Sequence, residues 1–405
     1  MDDACDALVI GAGVVGIATA YALARRGLSV TIVDRAEEPA RGASFANGAQ
    51  LSYVYTDALA SPWLLKQLPR LAVGADPAFR LRPSLDPDFV RWGLSFLRNC
   101  AAGRFHENTL EGLRLGLESR AAMHALLERH PLEFGHAAPG KLHLLEGEAA
   151  LEAARALVRM KREAGAEQEL LGPEEAARLE PAIAGRSRTL SGAVFSPQEE
   201  VGDPFRFCAA LLARLIADYG VRTRFGENVE MLRLGARPAA TVGGGTIESK
   251  AIALCTGVDT PRLLRRTGIR VPIWPMKGYS VTAPPGEEAP RISITDGARK
   301  LVFCRLGGDI RVAGLADLGS RDGRVNRHRL DSLLKAAQAS LPRAADYAHI
   351  KSSWSGVRPM TPTSLPIIRR EKGGLVLNVG HGSLGWTYAM GAAERTAALM
   401  VSAPC

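Results

Sequence analysis

Residues 7–34 read ALVIGAGVVGIATAYALARRGLSVTIVD, and this stretch decides the fold. Ala7 to Ile10 is a short apolar run of the kind buried in a parallel sheet, and Gly11-Ala12-Gly13-Val14-Val15-Gly16 follows at once. Ile17, Ala20, Tyr21 and Ala24 recur at helical spacing, Gly27 stops the helix, and Val30 to Val33 form a second strand ending in Asp34. The unit is βαβ with G-x-G-x-x-G at its first turn. Gly11 makes the tight turn, Gly13 lets backbone amides approach a pyrophosphate, and Gly16 lets helix and strand pack closely. The helix N-terminus adds partial positive charge at the same point. Asp34 stands eighteen residues after Gly16, where a carboxylate accepts hydrogen bonds from ribose hydroxyls. The motif in this full context predicts a bound dinucleotide; the glycines alone would not.

The rest of the chain bounds the alternatives. At 405 residues it exceeds what one hydrophobic core usually supports, which predicts two lobes. Apolar residues at 46% and charged residues at 23% mark a globular protein rather than a disordered one. The apolar run from Ala7 to Ala24 follows Asp2, Asp3 and Asp6 with no basic residue, the wrong flank for a secretory signal, and no later run reaches membrane-spanning length. The six cysteines, at 5, 100, 208, 255, 304 and 405, form no Cys-x-x-Cys pair and no metal-ligand spacing with the eight histidines. No metal is expected, and a reduced intracellular compartment is. The formal charge of +9 suits an anionic surface, a nucleic acid or an acidic substrate. The densest basic cluster, Arg262, Arg265, Arg266 and Arg270, has no interleaved aromatics, so it reads as a solvated face and nucleic acid is not expected. A Gly-x-Ser-x-Gly elbow, the mark of many hydrolases, is absent.

Three segments favour FAD over NAD. After Asp34 the chain enters Arg41-Gly42-Ala43-Ser44-Phe45-Ala46-Asn47-Gly48-Ala49-Gln50 instead of continuing to alternate helices and strands. Its amides and the Ser44 and Asn47 side chains suit a pyrophosphate or a flavin ring, although an ordinary surface loop has the same composition. Ala251 to Leu254 is an apolar strand running through Cys255 to Thr256-Gly257, just after the Gly243-Gly244-Gly245 turn of a hairpin. Leu375 to Val379 is another strand, followed by Gly380-His381-Gly382-Ser383-Leu384-Gly385-Trp386 and an Ala-rich helix from Thr387 to Met400. A helix starting there aims its amides at the negative charge that a reduced flavin develops. His381 then acts through its backbone or its ring, and Trp386 reads as core. An NAD-dependent dehydrogenase is the minor alternative.

GAGVVG at 11–16, SFANGAQLS at 44–52, PMKGYSVT at 275–282, WSGVRPMTP at 354–362 and GHGSLGWT at 380–387, in this order, make the sequence resemble the D-amino-acid oxidase superfamily of flavoproteins, most closely its bacterial dehydrogenases. The resemblance implies an α/β fold: a discontinuous Rossmann-like FAD domain of glutathione-reductase type over 1–80, 145–268 and 345–405, and an α+β, mixed-sheet substrate domain over 81–144 and 269–344. It implies FAD, held by Gly11, Gly13, Val14, Val15, Gly16, Asp34, Arg35, Ser44, Asn47, Gly48, Gln50, Val229, Thr256 and Gly257, and by Gly380, His381, Gly382, Ser383, Leu384, Gly385, Trp386 and Thr387.

The reaction implied is hydride transfer from the Cα of a small D-amino acid to flavin N5, then hydrolysis of the imino acid to a 2-keto acid and ammonia, with electrons passed to a quinone or another carrier. Such chemistry needs a guanidinium for the substrate carboxylate. Arg358, in Gly356-Val357-Arg358-Pro359, is the candidate; Tyr279 and, more weakly, Tyr53 are candidates for the pocket, with Tyr55 beside it. The open alternatives are a D-proline or D-hydroxyproline dehydrogenase, a glycine or sarcosine-type oxidase, and a non-catalytic FAD-binding subunit of a larger complex. A cytoplasmic protein is expected, with peripheral contact at the cytoplasmic face of the inner membrane left open. Thr361-Pro362-Thr363-Ser364, Arg369 and the order Asn47-Gly48-Ala49-Gln50 depart from the family pattern.

Overall fold

The computed structural model describes residues 5–72 and 74–401, the side chain of Ala72 excepted; Cys405 lies outside them. Strand β1 (Cys5–Ile10), helix α1 (Val14–Ala24) and strand β2 (Val30–Asp34) form the expected βαβ unit. β1 pairs in parallel with β2 on one side and with the end of Gly245–Leu254 on the other; Arg222–Phe225 and Leu375–Val379 extend the parallel sheet outward. Its central residues are buried because both faces are covered. On one face α1 packs against Gly385–Val401 and Pro204–Tyr219. On the other, Val229, Ala240, Ile247 and Leu264 close a second core over Leu8 and Ile10. The Gly243-Gly244 turn takes positive φ at both residues, as the tight hairpin joining Ala239–Val242 to Gly245–Leu254 requires.

A nine-stranded mixed sheet forms the other half. Its order is Ser352–Met360, Trp274–Ala283, Asp309–Leu318, Leu301–Leu306, Ser293–Asp296, Lys141–Leu145, Gly192–Ser196, Glu169–Leu171, with Phe79–Leu81 parallel to Asp309–Leu318. One face carries a core of Tyr279, Val281, Phe303, Val312 and Leu333, the last from helix Arg327–Ser340. The opposite face looks toward the dinucleotide half: Ser280 Oγ donates to the Ala46 carbonyl and Arg311 Nη1 donates to the Asn47 carbonyl at 3.1 Å.

The molecule is thus an α/β protein with a Rossmann-like half and a mixed-sheet half. The division along the chain differs from the expected one. Strands Glu169–Leu171, Gly192–Ser196 and Ser352–Met360 belong to the nine-stranded sheet, so 145–268 and 345–405 each cross between halves. Conversely, the 28-residue helix Ala102–Arg129, placed by sequence with the substrate lobe, buries Met123 and Leu126 with α1 and packs along Gly385–Val401. Strand periodicity reveals which residues are buried but not which sheet buries them.

Candidate active site

Between the halves lies a cavity of about 970 Å³, at the upper end of the range for small-molecule sites. Gly11, Gly13, Val14, Val15, Asp34, Arg35, Ser44, Asn47, Gly48, Gln50, Val229, Thr256 and Gly257 all line it, as do His381 through Trp386. Segments more than three hundred residues apart are therefore brought to one space.

The dinucleotide end is built by backbone geometry. Gly11 adopts φ +103°, and a Cβ there would lie 2.6 Å from the Cys255 carbonyl oxygen. Gly16 does not line the cavity; a Cβ on it would sit 1.7 Å from the Gly11 carbonyl oxygen, so its task is close packing of α1 on the turn. Asp34 spans the same turn, accepting from Ala12 N at 2.6 Å and from Ala36 N at 2.8 Å. Ser44 Oγ accepts from Val14 N at 3.1 Å, which ties the loop after β2 to the start of α1. Arg35 pairs with Asp259 at 2.9 Å.

At the far end of this half, Gly380 and Thr387 do not line the cavity. Gly380, at φ +76°, meets Thr361, and Thr387 Oγ1 accepts from Ser52 N. Trp386 is buried and donates from Nε1 to the Gly202 carbonyl at 3.1 Å, which makes it core, as expected. His381 is buried, and burial pulls its ring down to about 3, so it stays neutral at working pH. Its Nε2 and the Asn378 Oδ1 are buried without a hydrogen-bond partner among the described residues, and both residues line the cavity. Orphaned polar atoms beside an anion-ready helix turn fit a polar heterocycle such as FAD presents.

Across the cavity, Arg358 stands opposite Met276 on the paired strands Ser352–Met360 and Trp274–Ala283. Its guanidinium reaches over Gly278, where a Cβ would lie 2.2 Å from Nη2. Burial pulls Arg358 down to about 10, opposed by the charge of Asp317. Its recorded bond is from Nη1 to the Leu315 carbonyl at 3.3 Å, and no carboxylate among the described residues pairs with it. A half-buried guanidinium with spare donors at a cavity wall is arranged to receive an anion. Gly278→Ala is expected to displace the guanidinium and raise KM about tenfold with flavin content intact; steady-state kinetics beside the flavin absorbance checks this.

The two tyrosines are placed differently. Tyr279 is among the residues lining the cavity, but its ring packs into the core with Val281 and its hydroxyl donates to Asp317 Oδ2 at 3.1 Å. Burial and then Asp317 push that hydroxyl well above its ordinary range, so it neither ionises nor is free to bind substrate. Tyr53 is fully buried outside the cavity lining, its hydroxyl donating to Glu200 Oε2 at 3.2 Å beside His136. Tyr55, two residues on, does line the cavity.

Sequence reading also missed a polar cluster on that wall. Lys141 is buried on a sheet strand, donates to Ser52 Oγ at 2.8 Å and stands 3.9 Å over the Tyr55 ring. Burial lowers it to about 8, opposed by Glu199. Glu199 is raised to about 7 by burial, opposed by Lys141 and by the amides of Tyr55 and Val54 that it accepts. A lysine opening the strand Lys141–Leu145, where three of the other four residues are leucine, was the available signal. Because the folded value for Glu199 exceeds its ordinary one, the folded state binds the extra proton between about pH 4.5 and 7, and stability falls as pH rises through that window. Glu199→Gln is expected to flatten that fall, measurable by urea unfolding at pH 5 and pH 7.5.

Comparison with known proteins adds four findings. The family model described as DAO, FAD dependent oxidoreductase, matches residues 6–399. A protein of Ralstonia nicotianae named D-amino acid dehydrogenase 2 is 41% identical, over 97% of this chain and 95% of that protein. A D-amino acid dehydrogenase of Paramagnetospirillum magneticum is 36% identical, over 98% of this chain and 95% of that protein. Among solved structures, glycine oxidase from Geobacillus kaustophilus shares the fold with a TM-score of 0.78 at 22% identity, covering 99% of this chain and 96% of that one.

Proposed function

This chain belongs to the DAO family of FAD dependent oxidoreductases, and from that premise we propose that it oxidises small D-amino acids to 2-keto acids and ammonia and passes the electrons to an acceptor such as a quinone. The observation that carries the reading is Arg358, a half-buried guanidinium in the cavity wall without a carboxylate partner among the described residues.

FAD, when bound, supplies the hydride acceptor. Its holders are the Gly11–Gly16 turn, Asp34, the loop 44–50 and the turn 381–386. Arg358 takes the substrate carboxylate through a fork of N–H donors, which leaves Cα and the amine to be oriented by the remaining wall. Met276, Trp354 and Met360 line the cavity near Arg358 and keep bulk water from the reacting carbon. No side chain is required to remove a proton from Cα. A substrate with a neutral amine loses hydride directly, the nitrogen lone pair forming the C=N bond. Water then cleaves the imino acid. Two electrons leave the substrate and two must reach the acceptor.

The deciding experiment is anaerobic mixing of the yellow protein with D-, L- and N-methyl amino acids, D-proline and glycine included. Bleaching by D-amino acids supports the reading; bleaching only by N-methyl amino acids or glycine moves the chain to an oxidase-type substrate. No bleaching by any amine refutes an amino-acid oxidoreductase and favours an FAD-binding subunit. Oxygen uptake with and without a soluble quinone distinguishes the acceptors.

A membrane-borne acceptor is supported by the surface at the cavity mouth. No helix among the described residues is long and apolar enough to cross a membrane. Yet eight of the large apolar side chains exposed on the described surface fall within 59–97, on and around helices Pro62–Ala72 and Pro87–Asn99, among them Trp63, Leu85 and Leu94. Leu64, Leu68 and Phe89 of the same helices line the cavity. Lys66, Arg70, Arg91 and Arg98 surround this face, exposed. An apolar patch ringed by cations suits the surface of an anionic bilayer. Leu85→Ser with Leu94→Ser is expected to weaken binding to phosphatidylglycerol vesicles at least about tenfold, from roughly 1.5–3 kcal/mol per buried leucine, while turnover with a soluble acceptor stays unchanged. Vesicle sedimentation checks this.

A further inference from the structure

On the side of the nine-stranded sheet away from the FAD cavity lies a second, small cavity of about 130 Å³. It is enclosed by Phe79–Leu81, the end of Asp309–Leu318 and the segment 322–329. Its wall is strongly charged. Arg80, Arg82, Lys277, Arg324 and Arg329 supply five cations, against the two carboxylates of Asp317 and Asp322.

Both carboxylates are already committed. Lys277 Nζ pairs with Asp322 at 2.7 Å, and Arg329 Nη2 pairs with Asp317 at 2.6 Å. Asp317 also accepts the Tyr279 hydroxyl. Arg80, Arg82 and Arg324 are exposed, and none has an ion pair recorded among the described residues. Arg80 and Arg82 stand two residues apart on one extended segment, so they project to the same side. Three guanidinium groups share one concavity with no anion left over for them.

Two further features point the same way. The fourteen-residue helix Arg327–Ser340 begins at this cavity, capped by the Asn326 side chain, which accepts from Arg329 N, and with no acidic residue in its first turn to balance its positive end. Arg329, almost wholly buried in the wall, has an Nε without a hydrogen-bond partner, although its other nitrogens bond the Pro77 and Ala78 carbonyls and Asp317. Like charges held together in a concave, polar space cost free energy that a bound anion recovers.

We propose that this cavity is a binding site for a phosphate group, formed by Arg80, Arg82 and Arg324 over a floor of Lys277 and Arg329. Guanidinium forks match the oxygens of a tetrahedral oxyanion, and the volume holds one such group comfortably. The inference does not depend on the oxidation chemistry proposed above. The phosphate comes either from a soluble phosphate or phosphomonoester or from a lipid headgroup, because Arg80 and Arg82 lie in the same stretch as the apolar helices at the cavity mouth.

The test uses the FAD-loaded protein, so that phosphate does not report on the dinucleotide site. Calorimetric titration with inorganic phosphate and glycerol phosphate is run at constant ionic strength set by chloride. Vesicles of phosphatidylglycerol and of phosphatidylcholine form the lipid arm. Wild type is compared with Arg82→Ser/Arg324→Ser and with a charge-matched control, Arg265→Ser/Arg270→Ser, two exposed residues outside both cavities and outside the apolar surface. Binding of soluble phosphate that weakens at least about tenfold in the first variant and not in the control supports the site with a soluble ligand. Loss confined to phosphatidylglycerol vesicles, again specific to the first variant, supports a lipid headgroup. No binding in either arm, or equal losses in both variants, overturns the proposal. Unchanged flavin content, melting temperature and turnover in both variants show that the enzyme is intact.

Discussion

Arg358→Met is expected to raise the KM for a D-amino acid about 100- to 1000-fold while leaving the yellow flavin in place. The half-buried guanidinium packs against Gly278, donates to the Leu315 carbonyl and has no carboxylate partner among the described residues. Removing one member of a buried, hydrogen-bonded charge pair costs about 2–5 kcal/mol, and each 1.4 kcal/mol is tenfold. The loss falls mainly on binding, because the carboxylate is held alike before and during hydride loss. Arg358→Lys keeps the charge but not the fork and should recover part of the affinity. Stability should hold or rise in the methionine variant, since a desolvated cation is replaced by an apolar chain of similar length. The measurement is stopped-flow reduction over a range of substrate concentrations, which separates the substrate dissociation constant from the rate of reduction. An unchanged dissociation constant would remove Arg358 from the substrate site.

Gly16→Ala is expected to abolish FAD retention and most of the soluble yield, whereas Gly13→Ala should fold and merely bind FAD more weakly. The contrast comes from neighbouring atoms. A Cβ on Gly16 would lie 1.7 Å from the Gly11 carbonyl oxygen, a backbone atom in a turn already fixed at φ +103°, and nothing there can move without separating α1 from β1. Such overpacking in a rigid core costs at least about 3 kcal/mol. A Cβ on Gly13 would meet the Ser44 Oγ at 3.5 Å, an ordinary contact, and would only stand where a pyrophosphate approaches. Absorbance near the flavin maximum and the thermal midpoint, read together, distinguish lost folding from lost binding. A soluble, fully yellow Gly16→Ala protein would refute the packing argument.

The two tyrosines show where reading from sequence stopped. Tyr53 and Tyr279 both lie in motifs that reach the site, and both put their hydroxyls elsewhere, on Glu200 and Asp317. One residue's step along an extended chain reverses the face it presents. Tyr279 reaches the cavity edge while its ring packs into the core, and Gly278 beside it leaves the space that the Arg358 guanidinium fills; Tyr55 lines the cavity and Tyr53 does not.

What the sequence determined by itself is whatever is local. The β1–α1–β2 unit, its glycines, the carboxylate at Asp34 and the Gly243-Gly244 hairpin follow from spacing and backbone chemistry, because a few neighbouring residues settle each one. The arginine at 358 was legible as a motif. Only the tertiary structure decided that Gly278 clears the room for its guanidinium, that Lys141 reaches the cavity wall under the charge of the buried Glu199, and that the chain crosses repeatedly between its two sheets. Those facts depend on which strands pair over long separations, and strand pairing is fixed by the collective burial of both sheet faces rather than by any residue's own pattern.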